Sequence, residues 1–525
     1  MKLIYNVNDR PKFGQLIVFA IQQLLAIMAA TLVVPVITGN GMQPAAALFG
    51  AGVGTLVYIL FTKAKSPVFL GSSFAFLGSM AAAFAGAATI ELGYLGLIIG
   101  AVLAGLVYVV IALIVKVAGV NWINKLMPVV VIGPTVAIIG LSLAGNAIGD
   151  LQKTNYITYH NAEDYQIVSL DNRDYIFDEE KNAYVLGQEG EALEYVALPK
   201  DADLTAPIAK DDIRSDITVS PLDNGGYTLS SNYGSSYIAI ICGLITLAVT
   251  MLCATFGKKM TRLIPFIIGI CFGYLAATVF YFIGKATGNP ALMIIDFAPF
   301  ANLVKDGINL NTFFSVPEFT FLTAFGGFKE LSGSYVATIA AAYVPVAFVV
   351  FAEHIADHKN ISSIIEKDLL EDPGLSRTLL GDGVGSMAGA FFGGCPNTTY
   401  GESVGCVAIT GNASVVTIMT AAILAILISF INPFVAFVNT IPSCVMGGVC
   451  MALYGFIAVS GLKMVQKVDL EKNRNLFVVS VILIAGIGGL SLTFGKVTIT
   501  TIACALILGI LANIMLSPAD KKDAE

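Results

Sequence analysis

The sequence predicts an all-α polytopic membrane protein, and its composition and its hydropathy are the observations that predict it. Of the 525 residues, 56% are hydrophobic and only 12% are charged, whereas soluble proteins carry about 25% charged residues. Apolar runs long enough to cross a bilayer recur along the whole chain. Glycine is abundant, with 52 residues, which is typical of helices that pack closely in lipid.

The apolar runs predict about fourteen spans, interrupted by one polar insert. We divide the chain into spans 1–5 in residues 1–149, the insert in 150–235, spans 6–14 in 236–517 and a tail in 518–525. The predicted spans are 14–38, 43–62, 66–88, 92–117, 126–149, 236–257, 263–284, 336–356, 378–394, 396–412, 414–435, 440–462, 475–493 and 497–517.

The distribution of Lys and Arg predicts that both termini are cytoplasmic. Basic residues gather at both ends of the chain and in alternate connections between spans, and the other short connections have almost none. Cytoplasmic loops are the ones enriched in Lys and Arg. We therefore expect a multi-pass protein of the plasma membrane with the insert 150–235 outside.

The insert is acidic and is predicted to be rich in β-structure. It holds 17 acidic and 6 basic residues, a net charge of −11, while the whole chain carries −7. The rest of the chain thus carries a net charge of +4. The acidity of the protein therefore belongs to the insert and gives no information about the substrate. Its short segments "YQIVSL", "AYVLG", "EYVAL", "DITVS" and "GYTLS" are β-prone and are separated by turn residues. A solubilising loop and a binding or capping module are both compatible with this pattern.

Other residue patterns argue against an enzyme, a metalloprotein or a disulfide scaffold. All eight cysteines lie in apolar segments, so no disulfide framework is predicted. His354 and His358 lie four residues apart with Asp357 between them, but this helical spacing alone does not predict a metal site. We expect no metal, no cofactor and no nucleic-acid partner, and we find no nucleophile–base pair.

Two short segments resemble each other and predict an inverted repeat. "GSSFAF" at 71–76 and "NTTYGE" at 397–402 each give two hydroxyl residues, an aromatic, a small residue and a large one. Pro67 precedes the first segment and Pro396 the second. They fall in predicted spans 3 and 10, and an odd separation of seven spans reverses their orientation.

Both segments are predicted to interrupt their helices. Ser, Thr and aromatic residues favour extended chain, and Gly and Pro interrupt helices. Irregular backbone at membrane depth is tolerated only inside the protein or around a cavity. We therefore expect a short strand followed by a half-helix in each span, with the two half-helix N-termini offering N–H groups to a substrate near the midplane.

Glu353 and Glu402 are the candidate buried carboxylates, and an ionisable residue inside a span predicts function. Glu402 would lie at a half-helix N-terminus, which favours the ionised form. Glu353 lacks that stabilisation, so we expect it to be the better proton carrier. Asp357, one turn further on, would lead the proton to the cytoplasm. We interpret His358 as part of the wet end of the helix, at the membrane boundary, and His354 as facing away from both acids.

These residues and several longer motifs resemble the nucleobase–ascorbate transporter family, and within it the uracil permeases. The most specific motif is "KDLLEDPGLSRTLLGDGVGSMAGAFFGGCPNTTYGESVGCVAIT" at 367–410. "AEH" at 352–354, "GSSFAF" at 71–76 and "VMGGVCMALYG" at 445–455 agree with it. The resemblance covers nearly all of the chain except the insert.

The resemblance implies a fold, an activity and a set of site residues. It implies fourteen spans in two inverted sets of seven, a core domain, a gate domain and uptake of a nucleobase together with a proton. Several members are homodimers. Glu353 and Glu402 would accept hydrogen bonds from the uracil N–H groups, and Asp357 would join Glu353 in proton coupling. The remaining implied binding residues are Phe74 and Gly401, through their backbone N–H groups, and Ala30, Tyr400 and Tyr454, which would line the pocket.

Three departures from the family pattern leave alternatives open. Ser403 stands where the family often has Asn, Gly411 where it often has Arg or Lys, and Asp357 where many proton-coupled members have His. Xanthine or another purine therefore remains an alternative substrate, and the proton route is open. From other classes, an anion carrier or channel of the same fold and a surface receptor remain alternatives, although paired carboxylates favour neither.

Overall fold

The computed structural model of the protein describes residues 3–119, 128–156, 158–160, 164–170, 175–178, 183–186, 194–200, 202, 208–209, 213–214, 217–221, 227–258, 260–305, 307–494 and 497–517. Within these residues, eight helices are long and apolar enough to cross a membrane, when Val129–Gln152 is counted as one helix. The prediction of a mainly helical polytopic membrane protein is thus confirmed.

The described residues before the insert, together with its first residues, form six helices and one short strand. Proline at the first helical position of α2 costs no hydrogen bond, because that N–H has no partner within a helix. A 3₁₀ turn at Phe74–Phe76 joins the strand to α3. The elements are α1 (Phe13–Thr38), α2 (Pro44–Phe61), β1 (Leu70–Ser72), α3 (Leu77–Ala85), α4 (Ile90–Ala118), α5 (Val129–Ser142) and α6 (Ala144–Gln152).

The described part of the insert is built from strands. β3 to β7 form one sheet in the order β6-β3-β4-β5-β7, and the other three strands form a second in the order β2-β9-β8. Each of the five β-prone segments coincides with one of these strands. The strands are β2 (Thr158–His160), β3 (Tyr165–Leu170), β4 (Tyr175–Asp178), β5 (Ala183–Leu186), β6 (Glu194–Pro199), β7 (Ile208–Ala209), β8 (Thr218–Pro221) and β9 (Tyr227–Ser231).

The residues after the insert are again mainly helical, with one further strand before a half-helix and a hairpin near the end. The elements are α7 (Ser236–Phe256), α8 (Met260–Leu263), α9 (Pro265–Thr287), α10 (Ala298–Leu303), α11 (Leu310–Phe313), α12 (Thr320–Ala324), α13 (Gly333–Ile365), α14 (Leu375–Gly393), β10 (Asn397–Thr399), α15 (Gly401–Thr410), α16 (Val415–Ile428), α17 (Asn432–Thr440), α18 (Ser443–Val465), α19 (Asn473–Ile487), β11 (Leu492–Phe494), β12 (Val497–Ile499) and α20 (Thr501–Leu516).

Strands β1 and β10 pair with each other in the interior, where the sequence predicted interrupted spans. The pairing is antiparallel, with Leu70 opposite Thr399 and Ser72 opposite Asn397. All six strand residues are buried. Gly71 permits this close approach, because a Cβ atom there would lie 2.3 Å from the ring of Tyr400. Each strand leads directly into a short helical segment, as predicted.

The helices pack as two groups. We call α1–α4 with α13–α16 the first helix group, and α5–α7, α9 and α18–α20 the second helix group; contacts are concentrated within each. Both groups contribute to one continuous apolar core. The functional residues predicted from the sequence come mostly from the first group.

One element is longer than the predicted map indicates. Predicted span 8 ends at residue 356, but α13 continues to Ile365, since polar residues past 356 find buried partners on neighbouring elements. The connection 285–335, in which the sequence map places no span, contains the short helices α10, α11 and α12.

Candidate functional site

A cavity of about 500 Å³ lies between the two helix groups. Its size falls within the range of roughly 300–1,000 Å³ that is common for small-molecule sites. The first group contributes α13, the strand ends and α15, and the second contributes α5, α7, α9 and α18. The polar and charged lining residues are Ser73, Arg262, Glu353, Asp357, Asn360, Thr398, Thr399, Tyr400, Glu402 and Ser460.

Glu402 reaches the cavity from the first turn of the half-helix α15. This helix begins at Gly401, and its N-cap residue Tyr400 has extended backbone and makes no side-chain cap. The backbone N–H groups of Gly401 and Phe74 have no protein acceptor among the described residues. The strand–helix junctions therefore present hydrogen-bond donors beside a carboxylate, in the wall of one cavity.

Glu353 and Asp357 reach the cavity from one face of α13, a turn apart. Both side chains are half-buried and line the cavity. The Oδ2 atom of Asp357 accepts a hydrogen bond of 2.8 Å from the hydroxyl of Thr399 on β10. Asp357 is thereby linked to the strand that leads to Glu402. The cavity thus holds three carboxyl groups, which is costly in a membrane interior and characteristic of functional sites.

The aromatic residues at the strand–helix junctions shape the cavity wall. The hydroxyl of Tyr400 donates a 2.6 Å hydrogen bond to the carbonyl of Ser72 on β1, which fixes its ring across the strand pair. The ring of Phe74 packs edge-to-face on that of Tyr454, with 5.9 Å between centroids and 80° between planes. Such geometry is favourable for aromatic pairs.

Ser403, the departure from the family pattern noted above, joins the half-helix to α1 and β1. Its hydroxyl oxygen accepts a hydrogen bond of 2.5 Å from Nε2 of Gln23 and one of 3.0 Å from the backbone N–H of Phe69. Ser403 and Gln23 are both buried. The residue next to Glu402 thus has a positioning role that needs no Asn.

Most of the site residues predicted from the sequence are brought together. Ala30 on α1 and Tyr454 on α18 are not among the residues lining the cavity, and both are almost fully buried. Tyr454 is one layer away, behind the ring of Phe74. Those that do line the cavity are Phe74, Glu353, Asp357, Tyr400, Gly401 and Glu402.

The cavity opens at the end of the molecule where α1 begins and α13 ends. The lining residues at this end are exposed, among them Arg262, Asn360 and Ile409. At the opposite end the lining is closed by the buried residues Phe74 and Leu453. Access in this structure is therefore from one side only.

The interpretation of His358 as a wet helix end is wrong. His358 is fully buried, and its Nε2 atom lies 2.6 Å from the hydroxyl of Tyr58 on α2. Its Nδ1 atom lies 2.7 Å from the backbone oxygen of His354, one turn earlier. The hydroxyl of Tyr58 is also hydrogen-bonded to that of Ser66, at 2.7 Å. Tyr58 and Ser66 lie on a distant part of the chain, so the local sequence gave no sign of them.

His354 faces away from the cavity, as predicted, but it is part of a polar cluster that the sequence analysis missed. Its Nδ1 atom lies 2.7 Å from Oδ2 of Asp382, and its Nε2 atom lies 3.0 Å from the hydroxyl of Thr378. The rings of His354 and His358 stack with 4.0 Å between centroids. Asp382 lies inside a predicted span, so the rule applied to Glu353 could have singled it out.

Comparison with known proteins places the chain in a family. The model described as the permease family matches residues 14–170 and 222–494. The chain belongs to this family, that of the nucleobase–ascorbate transporters. As predicted, it is a permease and not an enzyme. The two matched ranges leave out most of the insert.

Curated relatives resemble the permease over its full length. A uracil permease of Bacillus subtilis (strain 168) is 34% identical, covering 100% of this chain and 98% of the relative. A uracil permease of Bacillus caldolyticus is 33% identical, covering 98% and 95%. A uracil permease of Escherichia coli (strain K12) is 31% identical, covering 96% and 92%.

Solved structures resemble the permease in fold. The transmembrane domain of the cyanobacterial bicarbonate transporter BicA aligns with a TM-score of 0.55 at 13% identity, covering 97% of this chain and 100% of that domain. The murine anion transporter Slc26a9, in its inward-facing state, aligns with a TM-score of 0.57 at 11% identity, covering 98% and 69%. At such low identities the likeness concerns the fold alone.

Proposed function

We propose that the permease imports uracil across the plasma membrane by proton symport. The observation that carries this proposal is that one cavity combines two carboxylates with two backbone N–H groups that have no acceptor in the described part of the chain. Uracil presents two N–H donors and two carbonyl acceptors in one plane. Glu353 and Glu402 accept from the ring N–H groups, and the N–H groups of Phe74 and Gly401 donate to the carbonyls. Full-length similarity to uracil permeases supports this choice of base.

Glu353 carries the proton in this proposal. It faces the cavity from α13, and Asp357 follows one turn nearer the open end. Protonation at Glu353 removes a buried charge when the site closes around the substrate, which lowers the cost of moving the carboxyl through the membrane interior. After opening inward, the proton passes by way of Asp357 to water. Tyr400 closes the cavity wall, while Ala30 and Tyr454 support it from one layer behind.

The membrane topology belongs to the same proposal. Fourteen spans form two inverted sets of seven, with the first helix group as core domain and the second as gate domain. The antiparallel pair β1–β10, with a half-helix after each strand, supports this symmetry. The divisions remain those predicted: 1–149, the insert 150–235 outside, 236–517, and a cytoplasmic tail 518–525. Both termini are cytoplasmic, so the cavity opens inward, and the permease is a homodimer.

Two alternatives are considered, and the charge of the site argues against the first of them. An anion carrier of this fold has support from the similar architecture of BicA and Slc26a9. The carboxyl groups of Glu353, Asp357 and Glu402 in the cavity wall would repel an anion. A purine such as xanthine uses the same donors and acceptors, and the test below therefore includes it.

The test is uptake of labelled uracil into proteoliposomes with an imposed inward proton gradient. We expect the wild type to accumulate uracil in response to the gradient and Glu353→Gln to lose this response. The substitution is almost isosteric but cannot carry a titrating proton. Asp9→Asn serves as control, because Asp9 lies before α1 and bonds locally to Asn6.

The outcomes separate the parts of the proposal. Uptake of xanthine without uracil would overturn the base and keep the site. Gradient-driven uptake that persists in Glu353→Gln would overturn its proton role. Uptake of neither base, with transport of bicarbonate in the same vesicles, would favour the anion carrier.

A further inference from the structure

A second cavity, of about 320 Å³, lies on the other side of Phe74. It is separate from the cavity that holds Glu353 and Glu402, and Phe74 is the only residue that lines both among the described residues. We call it the outer cavity, and we call the cavity that holds Glu353 and Glu402 the inner cavity. The residues that line it are Phe74, Gly78, Ser79, Ser142, Leu143, Asn146, Val346, Ser491, Thr500, Thr501 and Ile502.

The two cavities follow the same seam between the helix groups. On α13, Glu353 lines the inner cavity and Val346 the outer one. These residues are seven apart, or about 10 Å along a helix that rises 1.5 Å per residue. On α5, Ile139 lines the inner cavity and Ser142 the outer. One helix from each group, α13 and α5, therefore lines both cavities. The outer cavity thus continues the inner one along the seam.

The barrier between the cavities is thin. Phe74 is buried and packs edge-to-face on Tyr454, which comes from the second helix group. An aromatic contact across the seam can be broken when the groups separate, without leaving any charge or hydrogen-bonding group unpaired. The ring of Phe74 thus separates a solute in the outer cavity from the inner cavity, which holds the carboxylates.

The outer cavity differs from the inner one in its chemistry. None of its described lining residues is charged, whereas the inner cavity holds three carboxyl groups and Arg262. The hydroxyl of Thr500 is buried and has no hydrogen-bond partner in the described part of the chain. The Asn146 amide is exposed on the seam and likewise has no side-chain partner among the described residues.

These groups fit a neutral, planar molecule with adjacent N–H and C=O groups. An amide offers donor and acceptor together, and a hydroxyl can act as either. A buried hydroxyl without a partner is destabilising, and a ligand that pairs with it recovers that cost. An ion would find no countercharge among the described lining residues.

We propose that the outer cavity is a second binding site for the nucleobase, held by Asn146 and Thr500 before it passes Phe74. This inference rests on the proposed function, because it assigns an entry site to the same substrate. The base binds first where its neutral hydrogen-bonding groups are matched. It reaches the carboxylates only when the two helix groups separate at Phe74.

The test compares uptake from outside with binding at the inner site. Uptake of labelled uracil into right-side-out proteoliposomes gives KM. Equilibrium binding to purified protein in detergent, counted as the part that Glu402→Ala abolishes, reports the inner cavity, which is open in this structure. Loss of one hydrogen bond is worth about 0.5–1.5 kcal/mol, or roughly 2–12-fold in affinity. We expect Asn146→Ala and Thr500→Val each to raise KM by about that factor, with binding in detergent unchanged.

A bulky substitution tests whether the outer cavity lies on the entry path, whereas Asn146→Ala and Thr500→Val test whether it binds the base. We expect Asn146→Trp to raise KM further than Asn146→Ala by filling the cavity. Leu141→Trp is the matched control, because Leu141 is exposed near the end of the preceding helix α5 and does not line the cavity. Its uptake should equal that of the wild type.

Each outcome decides the matter. Wild-type KM in both Asn146→Ala and Thr500→Val would overturn the outer site alone, even if Asn146→Trp is impaired. A parallel loss of uptake and detergent binding would overturn it too, since the substitutions would then act on the inner site or on folding. Failure of the wild type to take up uracil would overturn the proposed function, and this inference with it.

Discussion

At the scale of single residues, the helix α13 alternates carboxylates and histidines in the segment "EHIADH". Glu353 and Asp357 face the cavity, while each following histidine points into the first helix group. His354 contacts α14 through Asp382, and His358 contacts α2 through Tyr58. The histidines therefore fix the rotation of α13 and with it the position of both carboxylates.

Tyr58 and Tyr108 provide a matched test of this positioning. Both are buried tyrosines, but Tyr58 bonds to His358 and Ser66, whereas the hydroxyl of Tyr108 has no partner in the described part of the chain. Tyr58→Phe leaves buried polar groups unpaired, which costs roughly 1–3 kcal/mol. We expect a lower midpoint of thermal unfolding for Tyr58→Phe and little change for Tyr108→Phe. Equal midpoints for the two variants would contradict the positioning role.

The candidate carboxylates were predictable from the sequence, but the buried residues that hold them in position were not. An acidic residue in an apolar run is visible in the sequence, which is why Glu353, Glu402 and Asp357 were found. Partners such as Tyr58 lie hundreds of residues away, and an unaligned sequence carries no signal that pairs them. Asp382 carries the same visible signal, because it is an acidic residue inside the predicted span 378–394.

At the scale of elements, the paired strands β1 and β10 hold the site together. Their pairing brings Phe74 and Gly401, from opposite halves of the chain, to the same cavity. Sequence alone predicted both interruptions, because hydroxyl and aromatic residues replace helix formers at each. It did not predict the length of α13, since the polar residues after 356 resemble a helix end until their buried partners are known.

Gly71 tests whether the strand pair controls the site. A Cβ atom at Gly71 would lie 2.3 Å from the ring of Tyr400, so Gly71→Ala must displace that ring or the strand. Displacing Tyr400 also moves the adjoining N-terminus of α15. We expect Gly71→Ala to lose most uracil binding in detergent.

The control for this substitution is Gly14→Ala, because a Cβ atom at Gly14 meets nothing within 4 Å. It should bind uracil as the wild type does. Normal binding by Gly71→Ala would show that the ring can move without harm, and that the strand pair does not set the geometry of the site.

At the scale of the whole molecule, two cavities of unlike chemistry lie along one seam. The inner cavity is open at one end and carries charge, while the described lining of the outer cavity is neutral. A transporter that alternates access needs a barrier on one side of its site at a time. In this structure that barrier is at Phe74, on the side of the outer cavity.

The open end of the inner cavity should face the cytoplasm, and labelling can test this. Asn360 is exposed at that end and lines the cavity. In a background where the less buried Cys253 and Cys271 are replaced by Ser, Asn360→Cys should react with a membrane-impermeant maleimide in inside-out vesicles. In right-side-out vesicles it should stay unreacted, because the two helix groups close the path at Phe74. Saturating uracil should slow the inside reaction, since the base occupies the cavity beyond the cysteine. Reaction from the outside alone would reverse the proposed orientation, placing the termini outside and the carboxylates on an entry path rather than an exit path.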